Sequence, residues 1–176
     1  MSKSRFLRAA AFALALGCAA GMALAAPKVE TPEAAQRPEL EVTPFSGPAF
    51  HLSAQRGKWV LVYYWASWCP PCTKALPVVS RFVAAHRDVA AIGLAVMQPK
   101  AQDAERFASE HDPGFPLAWL DADATQRLTR ITGKLVGIPF TWLIAPDGTL
   151  HRYWYGGFDA AQLEQIMREA GYPKKP

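Results

Sequence analysis

Residues 59–72 read WVLVYYWASWCPPC, and the rest of the chain is best understood outward from them. Trp59 to Ala66 is an unbroken run of apolar and aromatic strand formers. A strand with one wet face alternates polar and apolar residues. One without alternation fits the middle of a mainly parallel sheet, covered on both faces. Pro70 and Pro71 follow at once, and proline is best tolerated in the first turn of a helix, where no N–H is needed. The strand therefore hands over to a helix across Cys69 and Cys72. That helix is expected to continue through about His86, with Ala75, Val78, Val79, Phe82 and Val83 near helical spacing and Pro77 kinking it.

The handover carries chemistry. The start of a helix offers unbonded N–H groups and the positive end of the peptide dipoles, and both stabilise an anion. A thiol placed there ionises more easily, and the thiolate is the attacking species. A free thiol titrating near 8.5 is only a few per cent ionised at pH 7. Lowering it by about two units makes most of it thiolate, while intrinsic nucleophilicity falls with a slope of only about 0.4–0.5, so ionisation wins. Cys69, at the helix mouth, is expected to be exposed and to attack. Cys72, one turn in, is expected to be more buried and to close onto the mixed disulfide.

A purely structural disulfide across two intervening residues would remove little chain entropy. A zinc site would need four ligands, and neither a second cysteine pair nor a close histidine pair exists. His51, His86, His111 and His151 are scattered and read as surface or packing residues, so no metal is expected. The third cysteine, Cys18, lies in the N-terminal leader.

Lys3, Arg5 and Arg8 precede an uncharged run from Ala9 to Pro27, and Ala23-Leu24-Ala25 places small residues where a signal peptidase reads. Residues 1–25 are read as a signal peptide, cleaved after Ala25 or Ala26. The same run only just reaches bilayer-spanning length, which leaves an uncleaved anchor as the second reading; lipidation at Cys18 is the third. Export, to a periplasmic or comparable compartment, is common to all three. Without the leader's three basic residues, 16 basic face 15 acidic, a formal +1 against +4 for the whole chain. The basic balance therefore belongs largely to the leader and is no nucleic-acid footprint.

Residues 26–48, rich in Pro, Glu, Thr and Ala, read as a linker leading to a short hairpin or strand, with a folded domain over residues 38–176. Downstream, Val89 to Met97 reads as a second buried strand and Lys100 to His111 as a polar helix. Leu117 to Leu120 follows as a short strand, and Asp121 or Asp123 caps a helix to about Thr132. Thr141 to Ala145, the turn Pro146-Asp147-Gly148 and Thr149 to Tyr155 form a hairpin. Asp159 caps a last helix through Ala170. This is an α/β fold, a central mixed β-sheet with helices on both faces. Trp119, Trp142, Tyr153, Trp154 and Tyr155 read as core and sheet packing. No apolar helix face is left asking for a partner, so a monomer is expected.

Pro139, in Val136-Gly137-Ile138-Pro139-Phe140-Thr141, opens a strand, where its missing N–H does no harm. On these residues alone it is an ordinary turn proline.

Lys58-Trp59-Val60-Leu61-Val62, then Trp65-Ala66-Ser67-Trp68-Cys69-Pro70-Pro71-Cys72, resembles the core of the thioredoxin superfamily, and most closely its exported TlpA/ResA-like disulfide reductases. The likeness extends through Pro77, Gly137-Ile138-Pro139 with Thr141, and Pro146-Asp147-Gly148, from about Pro38 to Ala170. It implies a thioredoxin-like fold with the central strand–helix insertion of that branch, a cis Pro139 facing the cysteine pair, and Trp68 flanking the nucleophile. Trp68, Pro70, Pro71, Ile138 and Pro139 would then contact an extended substrate segment.

It further implies no cofactor beyond the redox-active Cys69–Cys72 disulfide, protein thiol or disulfide substrates, and electrons from a membrane thiol-reductant transporter. Two positions depart from the pattern: Tyr63 stands where many thioredoxins carry a buried Asp, and Ala75 where cytochrome-maturation members carry a Glu. Proton transfer from Cys72 is left to water, to Tyr63 or to a group the sequence does not name. The expected activity is protein-disulfide reduction, with a disulfide oxidant or isomerase as the alternative. A copper metallochaperone comes behind, because the related copper-binding family uses a three-residue cysteine spacer and a later ligand histidine. Peroxidase chemistry is weaker still, since it uses a lone cysteine in a different setting.

Overall fold

The computed structural model describes residues 27–133 and 135–173. The leader, with its signal-peptide, anchor and lipidation readings, therefore lies outside the described residues.

In chain order the elements are β1 (Val29–Glu30), β2 (Glu41–Val42), β3 (Phe50–His51), a short 3-10 turn (Leu52–Gln55), β4 (Trp59–Trp65), α1 (Pro70–Ala85), β5 (Val89–Ala95) and α2 (Ala101–His111). Then follow β6 (Leu117–Trp119), α3 (Ala122–Thr129), β7 (Phe140–Ile144), β8 (Leu150–Tyr155) and α4 (Ala160–Glu169). The main sheet runs β1-β8-β7-β4-β5-β6, with β2 and β3 forming a separate small hairpin. β4, β5 and β6 are parallel, whereas β7 lies antiparallel to β4 and β8 antiparallel to β7. The sheet is thus mixed, with the all-apolar β4 at its centre.

All seven residues of β4 are buried, and the two-residue period of a strand divides them between two cores. Trp59, Leu61, Tyr63 and Trp65 pack with α1 and α4 through residues such as Phe82, Leu163 and Ile166. Val60, Val62 and Tyr64 face the opposite side, toward Leu40, Val42 and Phe50 of the small hairpin region. Burial of both faces is why no polar residue interrupts the run.

The helix boundaries follow local chemistry. The side chain of Asp121 accepts the Ala124 N–H and starts α3. Asp159 and Gln162 form a reciprocal capping box at α4, at 2.9 and 3.0 Å. Pro77 stands within α1 without ending it. It supplies no N–H, so the Thr73 carbonyl lacks its usual intrahelical partner.

The region read as a linker contributes structure. β1 pairs antiparallel with β8, and the Tyr153 hydroxyl donates to the Glu30 carboxylate at 3.0 Å. Two residues with little periodicity gave no sign of a strand; their order comes from the partner edge.

Candidate functional site

β4 delivers the chain to the redox motif. After Trp65 the backbone turns, the Cys69 N–H donates to the Ala66 carbonyl at 3.2 Å, and Cys69 becomes the N-cap of α1. Pro70 and Pro71 fill the first two helical positions. The two prolines change the electrostatics inferred from the sequence. Neither has an N–H, and the Thr73 N–H is already bonded to the Cys69 carbonyl at 3.1 Å. Within the first turn the Cys72 N–H is the donor left to face an anion at Cys69, together with the dipole of the helix.

Cys69 and Cys72 are joined by a disulfide with their Cα atoms 5.2 Å apart. Cys72 is fully buried and Cys69 is 4% exposed. The expectation of an openly exposed Cys69 is corrected: in the bonded state both sulfurs belong to the cluster beneath α1, and the solvent-facing side chain is its neighbour Trp68, 53% exposed.

The loop ahead of Cys69 is fastened from the neighbouring strand end. The Gln98 carboxamide oxygen accepts the Ser67 N–H at 3.1 Å and the Ser67 hydroxyl at 3.2 Å, and the Trp68 indole N–H donates to the Met97 carbonyl at 3.0 Å. Met97 takes a left-handed backbone conformation, φ 52°, unusual for a residue with a side chain.

Because β7 runs antiparallel to β4, its first residue, Phe140, sits beside Tyr64 near the C-terminal end of β4. Pro139 is therefore carried to the same edge of the sheet as the cysteines. The Ile138–Pro139 bond is cis. The Pro139 carbonyl accepts the Gly156 N–H at 2.8 Å, and a Cβ on Gly157 would lie 3.4 Å from the Pro71 carbonyl oxygen. Ile138 packs against the cluster holding both cysteines. The structure thus places Trp68, Cys69, Pro70, Pro71 and Cys72 in one stretch at the mouth of α1, packs Ile138 against the cluster beneath it, and sets Pro139 at the neighbouring start of β7.

Beneath the pair, the Tyr63 hydroxyl donates to the Cys72 carbonyl at 3.0 Å. Burial pushes Tyr63 well above the ordinary tyrosine range, so it stays protonated at neutral pH and offers no anionic base to Cys72. Ala75 is buried and brings no carboxylate either. Neither residue therefore supplies an anionic acceptor for the Cys72 proton at neutral pH.

Sequence reasoning missed part of this face. Met97, Gln98 and Trp119 border the motif or line a cleft of about 820 Å³ beside it, with Asp121 at the cap of α3 and Asp123 and Thr125 within that helix. Trp119 was read as packing; it is 37% exposed. The lone Gln98 between strand and helix had no periodic signal to mark it. Among the described residues no group of three or more His, Cys, Asp or Glu side chains gathers to hold a metal.

Comparison with known proteins places this geometry. The profile of the AhpC/TSA family matches residues 34–153. Thiol-disulfide oxidoreductase ResA of Bacillus anthracis is 28% identical over 178 aligned residues, which cover 96% of this chain and 98% of the relative. Thioredoxin-like protein YneN of Bacillus subtilis is 23% identical over 77% of this chain and 78% of its own. Among solved structures, a thiol:disulfide interchange protein DsbE from Chlorobium tepidum superposes with a TM-score of 0.66 at 24% identity, over 81% of this chain and 99% of that one. StoA from Bacillus subtilis does so at 0.61 and 23%, over 75% and 98%. With the mixed sheet, the motif at the mouth of α1 and the Pro139 edge already in place, the sequence match over most of the folded region means that this chain belongs to the AhpC/TSA family and has a thioredoxin-like fold.

Proposed function

We propose that this chain is an exported thiol–disulfide oxidoreductase that reduces protein disulfides through Cys69 and Cys72. The observation that carries the reading is the Cys69–Cys72 disulfide at the N-terminus of α1, where a thiolate is favoured and the second sulfur lies within bonding distance. In the reduced protein the Cys69 thiolate attacks one sulfur of a substrate disulfide. A mixed disulfide forms and one substrate thiolate leaves. Cys72, after losing its proton to water, attacks the Cys69 sulfur. The intramolecular bond closes, the second substrate thiolate leaves, and two electrons have passed from the pair to the substrate.

Trp68, Pro70, Pro71, Ile138 and Pro139 frame the approach to Cys69, the opening strand of β7 offering backbone to an extended substrate. The oxidised pair is returned to the dithiol by a membrane thiol-reductant transporter, and the protein works as a monomer with no further cofactor. Export rests on the leader's charge and small-residue pattern.

The reduction potential of the pair tests the direction. Protein beginning at residue 27 is equilibrated in glutathione or dithiothreitol buffers. A value at or below about −270 mV supports a reductase, whereas one near −120 mV makes the protein a disulfide donor and sinks the reading. Cys72→Ser should accumulate a mixed disulfide with substrate, and Cys69→Ser should form none.

A further inference from the structure

Among the described residues the exposed large hydrophobic side chains are Trp68, Met97, Trp119 and Val136, and they are not scattered. Met97 and Trp119 line the cleft of about 820 Å³. Trp68 is tied to Met97 by its indole N–H, and Val136 adjoins Leu135, another lining residue. Exposed apolar side chains gathered on one face, around a concavity in the usual size range of ligand sites, mark a contact surface. Here that surface continues the redox motif: Gln98, in the cleft wall, holds Ser67, two positions before Cys69.

We propose that this cleft seats an aromatic side chain of the substrate polypeptide, close in sequence to its reacting cysteine. The inference rests on the reading of Cys69 and Cys72 as the reductant. An extended segment advances about 3.3 Å per residue, so a side chain two to four positions from a cysteine engaged at Cys69 reaches a neighbouring cleft. The chemistry of the wall selects an aromatic ring. The Met97 thioether is flexible and polarisable and makes favourable contacts with aromatic edges, and Trp119 offers a second aromatic surface. The left-handed backbone of Met97 keeps its side chain out of the core, 55% exposed, and non-glycine residues held this way cluster at functional sites.

The test uses two disulfide-bonded peptides, identical except for Phe or Ala two residues from the cysteine. The full folded domain, pre-reduced, is mixed with each under single-turnover conditions. Samples are quenched in acid, and product is counted by mass. The half-saturating concentration should be about tenfold lower for the Phe peptide, with equal maximal rates. Trp119→Ala and Met97→Gly, both at exposed positions, should each erase that preference, and Trp119→Ala, remote from the fastening of the Cys69 loop, should leave reduction of the Ala peptide unchanged. Equal half-saturation of the two peptides by the native protein overturns the proposal, as does a preference that survives both substitutions. If the native protein reduces neither peptide at any concentration, the reductase reading itself fails and the cleft assignment with it.

Discussion

Alkaline titration of the native protein should leave Tyr63 and Tyr64 protonated until the fold gives way. The chain has five, and all five are held above the ordinary tyrosine range. Burial alone raises Tyr63 and Tyr64, and the Tyr64 hydroxyl has no hydrogen-bond partner among the described residues. Burial leads for Tyr153, reinforced by donation to Glu30, and for Tyr155. Tyr172 is pushed up to about 12 by burial and by its bond to Asp88.

In the unfolded chain the same groups titrate near 10. The native state therefore holds these protons more tightly. Its tyrosine-linked stability is complete below about pH 10 and is lost as pH rises through the raised native values. Each tyrosine ionised only in the unfolded state costs about 1.4 kcal/mol per pH unit. Tyr63 and Tyr64, both fully buried, together cost about 2.7 kcal/mol per unit, or about 4 kcal/mol at pH 11.5. That is a large part of a typical domain's 5–15 kcal/mol.

The assay follows tyrosinate absorbance at 295 nm and circular dichroism together, from pH 8 to 12.5. The part of the absorbance rise that belongs to Tyr63 and Tyr64 should coincide with the loss of dichroism. Replacing Tyr63 or Tyr64 by Phe should reduce the slope of unfolding free energy against pH by about 1.4 kcal/mol per unit each. Five tyrosinates appearing near pH 10 with the dichroism intact would refute the reasoning.

Gly93→Ala places a Cβ against the Leu117 side chain and 3.2 Å from the Trp65 indole nitrogen, inside a buried sheet. Overpacking of this kind costs about 1–3 kcal/mol, which denaturant unfolding should register as a lower midpoint at unchanged slope. Gln98→Ala removes the acceptor of the Ser67 N–H; a net loss of about 1 kcal/mol should lower the melting temperature by roughly 2–4 °C, and reduction of any disulfide substrate should slow because the loop before Cys69 loses its anchor.

The centre of the fold was legible because single causes produced it. An unbroken apolar run such as Trp59–Trp65 fits a doubly covered strand, and Asp121 and Asp159 start helices by bonding the N–H groups ahead of them. The site was legible in part. The cysteine spacing and the following prolines mark the mouth of α1, and the prolines' missing N–H groups can be read there too, but that the Thr73 N–H is already taken by the Cys69 carbonyl is visible only once the bonds are placed. The cis form of Ile138–Pro139 came from resemblance, since nothing local demands it. β1 and the Gln98 anchor were hidden because each depends on a partner far away in sequence, β8 for one and the Ser67 loop for the other. Trp119 looked like core because an aromatic residue beside a strand carries no mark of which way it faces.

The pairing of β1 with β8 has a practical side. β8 contains Tyr153, Trp154 and Tyr155, and β1 covers its outer rim at Tyr153 and Trp154. A protein started at residue 27 keeps that cover. One trimmed beyond Glu30 would present bare backbone donors and acceptors flanked by aromatic side chains, a template on which another copy can lay down its own strand. Val29 and Glu30 thus act as a guard against sheet-to-sheet association at the rim of β8.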